Sequence, residues 1–160
     1  MDLPLGVIEL ENRSVGPHGE PTLARACKLL LQSWDAGDRG RELALHLMYL
    51  CWYLMLEPAH LTGMETSDAL AERLQVVFNE VHEYFSSRMV NDPEMLYVVG
   101  LMASISPWLL GNDDTWRSRS EEYRRRYREL APQGIRPGVF KDRGSYGDYF
   151  AGQARVKNGY

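Results

Sequence analysis

Apolar positions recur along this chain with helical spacing and mark five segments. Leu23, Cys27, Leu30 and Trp34 stand 4, 3 and 4 apart, the spacing of one helix face. Pro21 or Thr22 opens this first helix, because proline suits a first turn. Gly37 ends it. Asp38-Arg39-Gly40 leaves a very short connection, so the second helix returns antiparallel. That helix runs from about Arg41 to Leu56 and stops before Pro58, since proline disfavours the helical conformation in the residue before it. Thr62-Gly63-Met64-Glu65 reads as a loop. Thr66 or Ser67 caps a third helix, whose stripe is Leu70, Leu74, Val77, Val81 and Phe85. Asn91-Asp92-Pro93-Glu94 opens a fourth, running to about Leu110. Pro107 removes the bond to the carbonyl of Ala103, which predicts a kink or an early stop followed by a short turn. Asn112 or Asp113 caps a fifth helix reaching about Leu130, with Trp116, Tyr123, Tyr127 and Leu130 on one face. Glu121 with Arg125 and Glu122 with Arg126 are favourable pairs four apart.

The ends read differently. Residues 1–20 form an arm, in which Val7-Ile8-Glu9-Leu10 suits a short extended segment and residues 16–21 are turn material. Residues 21–131 are the helical domain. Residues 132–160 are an irregular tail holding Tyr146, Tyr149, Phe150 and Tyr160. No segment alternates as a strand does, and no glycine-rich phosphate loop follows one. The fold class is all-α: about five helices in antiparallel hairpins, as an irregular bundle or a repeat-like stack. The second and fourth helices are the most apolar and are expected at the centre.

Candidate chemistry concentrates on the second helix. Glu42, His46, Tyr49, Tyr53 and Glu57 are spaced 4, 3, 4 and 4, which places them on one stripe of an otherwise apolar helix. The stripe has three readings. It can be the solvent edge of a core helix, or a groove that binds a ligand or partner. It can also be a catalytic cleft in which Glu42 holds a neutral His46 as general base. Other chemistries find little footing. Glu42 and His46 are four apart, as helical ligands often are, but a carboxylate-bridged metal bundle needs two Glu-x-x-His pairs, and no second pair occurs. Cys27 and Cys51 lack zinc spacing. Gly-x-Ser-x-Gly is absent. No catalytic residue, metal or cofactor is therefore assigned.

Composition adds a compartment and a charge asymmetry. Of 160 residues 44% are hydrophobic and 25% charged, which excludes a disordered chain. Two cysteines are too few for a disulfide scaffold and suggest a reducing compartment. The apolar run Leu43–Leu56 is shorter than the roughly 20 residues of a membrane span, and no secretory signal pattern opens the sequence. A cytoplasmic protein is expected, without membrane contact. Residues 114–160 carry 11 of the 18 Lys/Arg and 6 of the 22 Asp/Glu. An acidic body with a basic end does not suit nucleic acid. The basic end can be a solvated helix face, or it can meet an acidic partner or the body of a second copy, making a homodimer possible.

Two phrases resemble tetratricopeptide-like helical proteins. Trp34-Asp35-Ala36-Gly37-Asp38 ends one helix before a partner containing Ala44, and Tyr127-Arg128-Glu129-Leu130-Ala131-Pro132 looks like a repeat's closing segment. Arg124 and Tyr127 stand where that family carries an aromatic residue and an alanine, and the helix pairs do not keep a repeat of about 34 residues. The resemblance implies a concave surface that binds peptides or proteins. The leading expectation is a non-enzymatic interaction module that takes a protein or peptide segment in a groove beside the second helix. The alternative is a small-molecule binder or enzyme with a pocket among the second to fourth helices, using His46.

Overall fold

The structure is a computed structural model that describes residues 3–13, 21–65 and 68–157. It is all-helical, and among the described residues there is no β-strand. The helices are α1 (Val7–Arg13), α2 (Leu23–Asp35), α3 (Arg41–Leu56), α4 (Ala59–Thr62), α5 (Ala69–Met89), α6 (Pro93–Ile105), α7 (Pro107–Leu110), α8 (Asp113–Leu130) and α9 (Gly144–Lys157), with a 3-10 turn at Pro137–Phe140. Among the described residues there are four more helical segments than the pattern predicts. No described helix is long and apolar enough to cross a membrane. The caps expected at Thr66 or Ser67, the turn at residues 16–20 and Tyr160 lie outside the described residues.

Contacts divide the chain into two compact units, the first comprising residues 1–81 with 144–146 and the second residues 82–143 with 147–160. In the first unit, connection 36–40 turns α2 back onto α3. Arg39 fastens this turn: its guanidinium donates to the Trp34 carbonyl at 2.6 Å and lies 3.7 Å from the Trp34 ring centroid. Ser33 and Gly40 N–H both donate to Asp38. Every residue of α3 from Leu43 to Trp52, and Leu54, is buried. Burial on nearly every side, more than helix propensity, holds this helix.

Two expectations about the ends are corrected. Val7-Ile8-Glu9-Leu10 is helical, not extended. A seven-residue helix is marginal by itself, but Val7, Leu10 and Glu11 fall at i, i+3 and i+4 and are all buried. Gly6 enters it in the left-handed region at φ 89°, and its carbonyl accepts from Leu10 N–H at 3.0 Å. The tail is likewise folded over residues 137–157. Its glycines obscure a helical spacing of four in Tyr146, Phe150 and Ala154, all of them buried.

In the second unit the local signals act as expected. Asp92 caps α6 by accepting from Met95 N–H at 3.1 Å, and Asn112 caps α8 by accepting from Thr115 N–H at 3.0 Å. The fourth predicted helix stops early, with Ser106 at φ −147° separating α6 from α7. Ser120 on α8 donates to the Gly100 carbonyl of α6 at 2.9 Å, a contact that a glycine beside a small residue permits. Tyr97, Tyr127, Phe140 and Phe150 form an aromatic core with ring centroids 5.4–6.2 Å apart. Arg143 pairs with Glu94 at 2.5 Å. On α8 the charges pair differently from the expectation: Arg125 and Arg126 both reach Glu129, and Arg117 reaches Asp113.

A carboxylate–imidazole–carboxylate cluster on helix α3

The five stripe residues do not share one fate. His46 and Tyr49 are buried at 0% and 1% exposure, whereas Tyr53 and Glu57 are half-buried. The stripe on the second predicted helix, α3, is therefore covered over its middle, while Glu42 at one end and Tyr53 and Glu57 at the other stay partly exposed. What closes it comes from the two ends of the chain. Glu11 of α1 places Oε2 2.6 Å from His46 Nδ1. Glu42, one turn before His46 on α3, places Oε1 3.1 Å from Nε2. Tyr146, at the start of α9, lays its ring on the imidazole with centroids 4.7 Å apart and donates its N–H to Glu11 Oε1 at 3.1 Å. The Tyr49 hydroxyl meets the Ser145 hydroxyl at 2.9 Å. Thr22 donates to the Leu10 carbonyl, tying the end of α1 to the start of α2.

This geometry favours the imidazolium. A neutral imidazole has one N–H, so one of its nitrogens would turn a lone pair toward a carboxylate. Only the imidazolium donates from both. Burial works against that charge and is the largest single influence. The hydrogen bonds and charges of Glu11 and Glu42 together outweigh it, and the His46 pKa lies above 6.5. Both ring nitrogens are engaged and the ring is fully buried, an arrangement that does not favour the neutral general base that the sequence allows. The two carboxylates sit on opposite ring nitrogens and do not converge on one point. Among the described residues no group of three His, Cys, Asp or Glu is arranged to hold a metal.

Among the described residues, surface cavities lie elsewhere. One of about 290 Å³ is lined by Leu31, Asp35, Leu70 and Arg73. One of about 360 Å³ is lined by Val90, Leu96, Tyr123 and Arg126. One of about 450 Å³ is lined by Lys141, Asp142, Asp148 and Arg155. The second unit holds a contrasting histidine. His82 Nε2 lies 2.7 Å from the Tyr123 hydroxyl, and its ring packs edge-on against Trp116 at 4.8 Å. Burial, helped by the Arg119 charge, lowers its pKa to about 4.

The two histidines give stability opposite pH slopes. His46 is raised when folded, so its contribution is complete below 6.5 and is lost as pH rises through its folded value. His82 is lowered, so the unfolded chain binds the extra proton between about 4 and 6.5, and stability is lost as pH falls through that window. Urea midpoints measured across pH should show both losses. His46→Gln should flatten the alkaline limb and His82→Gln the acid limb. An unchanged alkaline limb in His46→Gln would contradict the raised pKa.

Glu11, Ser145 and Tyr146 are the site residues that the stripe alone does not reveal. Their partners lie 35 to 135 positions away in the chain. The spacing of Val7, Leu10 and Glu11 is the signal that marks the first of them. No protein-family model, curated protein or solved structure matches this chain.

Proposed function

We propose that the chain is a non-enzymatic helical interaction module whose α3 stripe binds a short helical segment of a protein. The pattern bound is two aliphatic residues three apart followed at once by glutamate. The observation that carries this reading is the seat of Glu11: His46 takes its carboxylate into a fully buried socket, and Val7 and Leu10 on the same face of α1 are buried too. In this reading α1 occupies the site in cis, and a partner segment of the same pattern replaces it. The α1 of a second copy is the simplest such segment, which keeps a homodimer within the proposal. Tyr53 and Glu57 extend the stripe past the covered part and supply contacts to the longer partner. The α2–α3 pair presents this face in a tetratricopeptide-like manner, in a cytoplasmic protein that needs no cofactor. With both nitrogens of His46 engaged, a catalytic pocket at the same place has no observation in its favour.

A fluorescent peptide of sequence Pro4–Arg13 tests this. In the wild-type chain, the tethered α1 competes at an effective concentration of order millimolar, so the peptide should bind poorly. Glu11→Gln weakens the tethered copy and should bind the peptide saturably and more tightly than wild type. Adding His46→Gln to that variant should abolish the gain. Equal weak binding by all three chains would overturn the proposal.

A further inference from the structure

We propose that the cavity of about 450 Å³ in the second unit binds a small zwitterion of the free-dipeptide class, with Asp142 and Asp148 taking its ammonium and Lys141 and Arg155 its carboxylate. The cavity is lined by the 3-10 turn Pro137–Phe140, by Lys141 and Asp142 directly after it, and by α9. On α9, Asp148, Ala151 and Arg155 stand 3 and 4 apart, the spacing of one helix face. Phe140 and Ala151 are buried at 1% and 7% exposure and give the cavity an apolar base. The four charged residues around it are exposed. Among the described residues, none of their side chains has a hydrogen bond or an ion pair. Opposite charges that line one cavity without pairing are set wider than an ion pair, which leaves a gap for a ligand to bridge. Asp142 adds an independent observation. At φ 59° it is the one non-glycine in the left-handed region among the described residues. Glycine adopts that conformation more readily, so the chain keeps a carboxylate on the cavity where the backbone favours no side chain.

The charge set selects the class of ligand. Phosphate would meet two carboxylates. A metal ion would meet an ammonium and a guanidinium, and among the described residues no group of three His, Cys, Asp or Glu is placed to outweigh them. A zwitterion engages both signs at once through charge-assisted hydrogen bonds. The helix also sets a length. Asp148 and Arg155 are seven residues apart, about 10 Å along the axis at 1.5 Å per residue. The two charges of an amino acid flank one carbon. Those of a dipeptide are separated by a peptide unit with Cα atoms about 3.8 Å apart, so a dipeptide reaches further toward both ends. The cavity shares no residue with the α3 stripe, and this inference does not rest on the proposed binding function.

The test is titration of the full chain with alanylalanine, followed by backbone amide resonances. N-acetyl-alanylalanine, alanylalanine amide and free alanine are the comparison ligands. Saturable shifts are expected at residues 137–142 and 148–155, with a dissociation constant of order millimolar or below. Blocking either end of the dipeptide should weaken binding at least about tenfold, the effect of losing one charge-assisted contact. Arg155→Gln should weaken the unblocked dipeptide by a similar factor. Asp142→Gly should do so as well without lowering the thermal midpoint, because glycine relieves the left-handed backbone. A carboxylate kept only for the fold would lower the midpoint and leave binding unchanged. Absence of a saturable shift, shifts confined to other residues, equal binding of the blocked peptides, or unchanged affinity in either variant would overturn the inference. Equal binding of free alanine would overturn the dipeptide class.

Discussion

Glu11→Ala is expected to lower unfolding stability by about 3–5 kcal/mol, the range for removing one partner from a buried ion pair. His46 would be left with one carboxylate in place of two, in a site with no exposure. Tyr146 N–H would lose its acceptor, and α1 would lose its bond to His46 of α3. Urea denaturation reads this as a lower midpoint. Glu11→Gln should cost less, about 1–3 kcal/mol, because an amide oxygen still accepts a hydrogen bond where the carboxylate did. Exposed pairs mark the contrast. Arg117 and Asp113 meet at 2.7 Å but are 59% and 44% exposed, so water and salt already screen them, and Arg117→Ala should leave the midpoint where it is. A Glu11→Ala chain with a wild-type midpoint would mean that α1 is not seated on His46.

Gly144→Ala should be the next most damaging change, at about 2–5 kcal/mol from two additive causes. Gly144 has φ 66°, and a side chain in the left-handed region costs about 1–2 kcal/mol. A Cβ there would also stand 2.8 Å from Glu11 Oε1 and 3.0 Å from Glu11 Cβ. Glu11 cannot yield easily, because its two carboxylate oxygens are held by His46 and by Tyr146 N–H. Forced overpacking of this kind adds about 1–3 kcal/mol. Gly37→Ala separates the two causes. Gly37 has φ 100° with nothing within 4 Å of a built Cβ, so it should show the backbone cost alone. Urea midpoints for the two variants should therefore differ, with Gly144→Ala the lower. Equal midpoints would remove the steric part of the argument.

Local signals made much of the fold legible. The ends of α3 follow from Gly40 and Pro58, the caps at Asp92 and Asn112 from their side chains, and the break at Ser106 from Pro107. Each is decided within a few residues of the chain. α1 and α9 are different, because neither is long or apolar enough to be a helix without its neighbours. Val7-Ile8-Glu9-Leu10 can be written as alternation or as a short helical face, and burial of Glu11 decides between them. Gly144, Gly147 and Gly152 weaken the helical signal of α9, yet Gly147 is needed there: a Cβ would come 2.2 Å from the Phe140 carbonyl oxygen. The stripe on α3 was legible as residue types on one face. Its covering was not, because a polar stripe beside water and a polar stripe beside a buried acid look the same along one helix.

The imidazole of His46 reports most directly on whether α1 and the start of α9 close that stripe. Its titration can be followed by the ring resonances of the full chain, assigned by their loss in His46→Gln. A closed cluster predicts a folded pKa above 6.5 and a return toward or below that value in Glu11→Gln, where one of the two carboxylates is neutral. Resonances that titrate at 6.5 or lower in the wild-type chain and ignore the Glu11 substitution would contradict the account.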